Sequence, residues 1–95
     1  MPTFEEVMTD RLFNSAMWPE EIAAVLAEVK DSPEMDAMRD RWGDSIEEYP
    51  VMVPICWIAV EARAIEWLTA NKPDHFALEV LKGVRDAAAG KPVAP

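Results

Sequence analysis

The sequence predicts an all-α protein, a small bundle of four to five helices around a central buried helix over about 51–71. Three observations predict it. Apolar residues recur at three- and four-residue spacing in successive stretches, and no alternating strand pattern occurs. Capping residues and prolines fall at the boundaries of those stretches. One stretch, VMVPICWIAVEARAIEWLTAN from Val51 to Asn71, is long and apolar enough for the others to pack around.

Thr3-Phe4-Glu5-Glu6 reads as a capping box that opens a first helix to about Phe13, with Phe4, Val7, Met8 and Leu12 on one face. Arg11 lies on that same face. Pro19 suits the first position of a second helix, and Glu20 and Glu21 suit its positive end. Ile22, Val25, Leu26 and Val29 form its apolar stripe; Glu20, Ala23, Ala24, Ala27 and Glu28 form a small and acidic back. Ser32 and Pro33 open a third helix whose inner edge is Met35, Met38 and Trp42, and Gly43 ends it.

Asp44 to Pro50 is a polar connection. The residue before a proline avoids αR, so Tyr49 is expected to be extended, the central helix to start after Pro50, and Pro54 to sit in its first turn. At roughly 100° per residue, Trp57, Ile58, Val60, Ala64, Ile65, Trp67 and Leu68 fill one side of that helix, opposite Ala59, Ala62, Arg63, Glu66 and Ala70. Val51 to Val60 is apolar at every position, which predicts cover on nearly all sides. Asn71-Lys72-Pro73 stops the helix. Asp74 is the expected N-cap of a last helix with Phe76, Val80, Leu81 and Val84 facing in, weakened in its second half by Gly83. Residues 1–88 form a single domain and 89–95 a flexible tail on this reading.

Half of the 95 residues are apolar and only three are Gly, a composition that favours a packed chain over a disordered one. One cysteine excludes a disulfide framework and fits a reducing compartment. MPTFEEVM has neither the basic nor the apolar part of a secretory signal, and ten consecutive apolar residues fall short of the roughly 20 needed to cross a bilayer. A cytoplasmic protein that does not engage a membrane is expected. Net charge is −9, all of it in residues 1–50, which hold 13 acids against four bases. Direct nucleic-acid binding needs a basic face, and none is visible.

Chemistry-bearing patterns are sparse. One His and one Cys, about twenty residues apart, make no zinc site, and Glu34, Asp36 and Asp40 lack the glycine turn of a calcium loop, so no metal or cofactor is expected. Cys56 among Ile55, Trp57 and Ile58 reads as a buried, inert thiol. The three glycines are scattered, so there is no phosphate loop. Glu61 is the oddity, since it falls among Trp57, Ile65 and Leu68, where a carboxylate is costly unless paired. The expected partner is Arg11, with Arg39 and Arg41 as alternatives; the rival reading makes Glu61 an acid or base of an enzyme.

Trp57 and Trp67 are expected in the core. Trp18 and Trp42 lie at helix boundaries, and with Arg39, Arg41, Asp44, Glu47 and Glu48 they make the expected interaction surface. Six of the 13 acids sit in helix first turns, where the dipole accounts for them; the acids left over, notably Glu28, Asp31, Asp40, Asp44, Glu47 and Glu48, suit an acidic inhibitor that occupies a basic nucleic-acid-binding surface.

The run Arg41-Trp42-Gly43-Asp44, with Tyr49-Pro50, Trp57, Trp67 and Asn71-Lys72-Pro73, resembles small acidic helical open reading frames of tailed bacteriophages and prophages over about Thr3 to Pro73. The resemblance implies a bacterial cytoplasm and an accessory role binding a host or phage protein, and it carries no catalytic residue. The leading expectation is therefore a non-enzymatic protein–protein interaction protein. A homodimer is the expected remedy for the apolar decapeptide at Val51–Val60, which 95 residues can hardly cover.

Overall fold

The computed structural model describes residues 3–49 and 51–88. These form five α-helices: α1 (Phe4–Asn14), α2 (Pro19–Val29), α3 (Pro33–Trp42), α4 (Val53–Asn71) and α5 (Phe76–Ala88), with a short 3₁₀ turn at Ile46–Glu48. No strand occurs among the described residues. Helix α4 touches each of the other four helices and the 3₁₀ turn. Among the described residues, no helix is long and apolar enough to cross a membrane. The expected tail at 89–95 and the inward side chain of Val84 lie outside what is described.

Local chemistry sets most boundaries. The Thr3 hydroxyl accepts from Glu6 N–H at 3.2 Å and opens α1. Ser32 joins two helices at once: its hydroxyl donates to Val29 O at 2.8 Å, closing α2, and accepts from Met35 N–H at 3.2 Å, opening α3. Gly43 ends α3 at φ 110, a conformation that a side chain disfavours. Tyr49 is extended and Pro54 lies in the first turn of α4, both as the proline rules require. Between α1 and α2 the chain reverses through Ala16 at φ 75. Buried Met17 and the hydrogen bond from Met17 N to Leu12 O (3.1 Å) hold that left-handed residue in place.

The core runs along α4. Cys56, Val60, Ala64 and Leu68 mark the centre of its covered face, against Met8 and Leu12 of α1, Ile22, Val25 and Val29 of α2, Met35 of α3, Ile46 of the 3₁₀ turn, and Ala77, Leu78 and Leu81 of α5. This face is rotated from the expected one. Ile58 lies on the far side of that row and is 68% exposed, whereas Ala59 is buried and the Arg63 side chain is only 19% exposed. The cause is the neighbours. Alanines at 59 and 62 let other helices come close, so packing, and not the sum of apolar residues, selects the covered arc. Trp57 and Trp67, expected in the core, are only partly buried and pack against it. The decapeptide Val51–Val60 is not covered on all sides either: Val51 is 81% exposed and Pro54 is exposed.

Helix α5 departs from expectation at its start. His75, not Asp74, caps it by accepting from Ala77 N–H through Nδ1 at 3.0 Å. Nδ1 stands as many bonds from Cα as the side-chain oxygen of an Asn cap, so the ring substitutes for one. The helix then faces Ala77, Leu78 and Leu81 inward. Phe76, two positions before Leu78 and so about 200° round the helix from it, is 66% exposed.

Candidate functional site

One polar cluster gathers on Glu21, in the first turn of α2. Its carboxylate is 3% exposed. Oε1 accepts from Trp18 N–H at 2.8 Å and lies 2.9 Å from His75 Nε2, while Oε2 accepts from Lys72 Nζ at 2.6 Å. Four stretches are thereby tied: the entry to α2, its first turn, the exit of α4 and the cap of α5. Because His75 Nδ1 accepts from Ala77, the ring proton sits on Nε2 and is donated to Glu21. Burial pushes the Glu21 carboxyl up, but the hydrogen bonds from Lys72, Trp18 and His75 outweigh it and hold the group below the usual carboxylate range.

A second cluster centres on Arg63 of α4. Its Nη2 donates to both oxygens of Glu34 on α3 (3.0 and 3.3 Å), and Nη1 lies 3.0 Å from Glu66 and 3.9 Å from Glu28 of α2. The hydrogen bond to Glu34 is the main influence raising the pKa of Arg63. Glu34 is pushed up by burial but ends below its ordinary range, through a backbone N–H and the Arg63 guanidinium. The third cluster is Arg39, which binds Glu47 through Nε (2.9 Å) and Nη2 (2.8 Å), Asp36 (3.2 Å) and the Lys30 carbonyl (3.0 Å).

These clusters leave little free chemistry. Both His75 nitrogens are committed, so the ring has no lone pair for a substrate proton. Cys56 is buried, its sulfur 3.7 Å from Met52 O, and burial pushes the thiol pKa up, the opposite of what a nucleophile needs. Among the described residues, no group of three or more His, Cys, Asp or Glu side chains is placed to hold a metal.

No family model, curated protein or solved structure matches this chain.

Glu61 is 8% exposed and is engaged within the protein. Arg11 is exposed, with its guanidinium carbon 5.5 Å from the centroid of the Trp57 ring. Trp57 and Glu61 are four apart on α4 and so share a face, which brings Arg11 to the side of α4 that carries the acid.

The expected interaction surface divides. Arg39 and Glu47 are bound to each other, and Arg41 lies over Trp42 at 5.3 Å. Asp44 and Glu48 are exposed beside them, and Trp42 is exposed. Trp18 stands elsewhere: it caps the start of α2, whereas Arg39 reaches Lys30 just beyond the end of the same helix, about 18 Å along its axis. Trp18 is 62% exposed and its backbone meets the His75 ring on one Glu21 oxygen; Phe76, next in the chain after His75, is 66% exposed. The acids left over in the first half are partly spent, because Glu28 and Glu47 are ion-paired.

Proposed function

We propose that this chain is a non-enzymatic protein–protein interaction protein, an accessory of a bacteriophage or prophage acting in the bacterial cytoplasm. The observation that carries the interaction role is the exposure of two large aromatic side chains, Trp18 and Phe76, on backbone anchored through the buried Glu21 by the Trp18 N–H and the adjoining His75. Large aromatic side chains on a rigid base, one end apolar and the backbone locked, suit an interface anchor better than a solvated surface. A non-enzymatic role is supported by the committed nitrogens of His75, the buried thiol of Cys56 and the buried carboxylate of Glu61.

Affinity capture from a bacterial lysate, at low and high salt, tests this reading. Wild type should retain a partner that a Trp18→Ala/Phe76→Ala variant releases. Equal retention by a stably folded double variant would refute the role of the pair. An acidic inhibitor that imitates nucleic acid has less support, since Glu28, Glu34 and Glu47 are already paired within the protein. It requires capture that collapses with added salt. Self-association into a two-fold dimer is compatible with either role and is supported by the uncovered Val51 and Ile58.

A further inference from the structure

Helices α1 and α2 do not close fully on each other on their outer side. Two adjoining hollows, about 520 and 350 Å³, run between them and share Glu5, Thr9, Pro19 and Ile22. The floor is apolar: Phe13 and Pro19 at one end, then Ile22, Ala23, Leu26 and Ala27. The gap exists because α2 turns alanines outward at 23 and 27, where longer side chains would fill it. The rim along α1 is acidic, with Glu5, Glu6 and Asp10. One cation, Lys30, stands at the far end, and it is already tied to Glu5 at 3.0 Å. Each helix is 11 residues, so the trough is about 16 Å long, enough for three turns of a helix.

We infer that this trough between α1 and α2 docks a basic amphipathic helix of a partner protein, its apolar stripe on the exposed Phe13, Pro19, Ala23 and Ala27 and its lysines or arginines against Glu6 and Asp10. An apolar floor recognises an apolar stripe, and an acidic rim selects cationic flanks and rejects acidic ones. An anionic membrane or a nucleic acid is repelled by the same rim. The inference rests on the proposed interaction role, and it names a surface distinct from Trp18 and Phe76.

The probe is a fluorescein-labelled three-turn peptide with leucines at helical spacing and lysines elsewhere, followed by fluorescence anisotropy at low salt. Its counterpart with glutamate for lysine is the specificity control. The Glu6→Lys/Asp10→Lys variant should weaken binding about tenfold, the effect of two rim charges together. Ala27→Trp, which plugs the hollow at an exposed position, should weaken it at least as much. Asp40→Lys/Glu48→Lys changes net charge equally at exposed sites outside the trough and should leave affinity within about twofold. Circular dichroism confirms that each variant is folded.

Several results overturn the trough. They are no binding of the lysine peptide, equal binding of the glutamate peptide, equal weakening by the Asp40/Glu48 variant, or binding undiminished by Ala27→Trp. Amide resonances of α1 and α2 that shift with protein concentration alone would assign it to a second copy, which also overturns the inference. A lysate partner held equally by wild type and by Glu6→Lys/Asp10→Lys would sink the trough while the wider interaction role stands.

Discussion

Arg63 holds Glu34 from 29 positions further along the chain, with one guanidinium nitrogen shared between both carboxylate oxygens at 3.0 and 3.3 Å. The arginine stands among three carboxylates, and those of Glu28 and Glu34 come from different helices. Its role is to let α2, α3 and α4 meet without mutual repulsion.

Arg63→Ala should therefore cost more than removal of any single acid around it, about 2–3 kcal/mol, because three like charges are left facing each other. Arg63→Lys keeps the charge but loses the planar fork, and about 1 kcal/mol is expected. Glu66 is exposed, so Glu66→Ala should change stability by less than about 0.5 kcal/mol. Urea unfolding of the three variants gives the order; Glu66→Ala as damaging as Arg63→Ala would contradict it.

Glu21→Ala strands the Trp18 N–H and the His75 Nε2–H in a buried site, and a loss of about 2–4 kcal/mol is expected. Lys72 is half exposed, so Lys72→Ala should cost under about 1 kcal/mol despite the shorter contact. Thermal denaturation separates the two. Equal losses would mean that the Lys72 ammonium, and not the Trp18 N–H and the His75 ring, anchors the clasp.

Stability should fall in acid through Glu21 and Glu34. Both carboxyls are held below their ordinary range in the folded protein, so below about pH 4.3, the unfolded value, the unfolded chain binds more protons than the native one. Their contribution is complete above about pH 5 and is lost as pH drops through 4.3 toward the native values. A Glu21→Gln/Glu34→Gln variant should show a shallower decline in Tm between pH 5 and 3. An unchanged slope would place the acid sensitivity in other groups.

Glu61 and Arg11 are proposed to form a pair beside Trp57. Glu61→Ala should destabilise more than Glu61→Gln, and Arg11→Ala should cost about 0.5–1 kcal/mol from lost stacking alone. A double-mutant cycle measures the pairing directly. Additive losses would show that the two do not interact, and an alanine variant as stable as wild type would show the Glu61 carboxylate to be of no structural account.

Light scattering should give twice the 10.7 kDa chain mass if Val51 and Ile58 bury against a second copy, and Ile58→Lys should restore the single mass. A single mass for wild type at high concentration rules the dimer out.

Much of the fold was legible in the sequence because its punctuation is local. Thr3, Pro19, Ser32, Pro33 and Gly43 act within four residues of themselves, and α1, α2 and α3 begin or end where they direct. The polar clusters were not legible. Glu21 lies 51 and 54 residues from Lys72 and His75, and as an isolated residue it reads only as a dipole partner. A signal existed: the single histidine stands three residues after the lysine that ends the central helix. Arg63 was assigned to the outer arc of α4 because a wheel counts apolar residues and ignores size. The alanines at 59 and 62 were the clue, since small residues mark where another helix comes near. Phe76 is expected inside, but α5 packs through Ala77, Leu78 and Leu81, and Phe76 lies on the opposite face from Leu78.

Ala16 carries a consequence for the proposed occupant of the trough between α1 and α2. An alanine kept left-handed lies roughly 1–2 kcal/mol above its relaxed backbone, and a buried methionine prevents it from unwinding. The two helices thus resemble a jaw with a welded joint, its gape decided before any visitor arrives. Ala16→Gly would relieve that strain without opening the joint, because Met17 and its hydrogen bond to Leu12 still hold it. In the native chain the visitor must fit the gape.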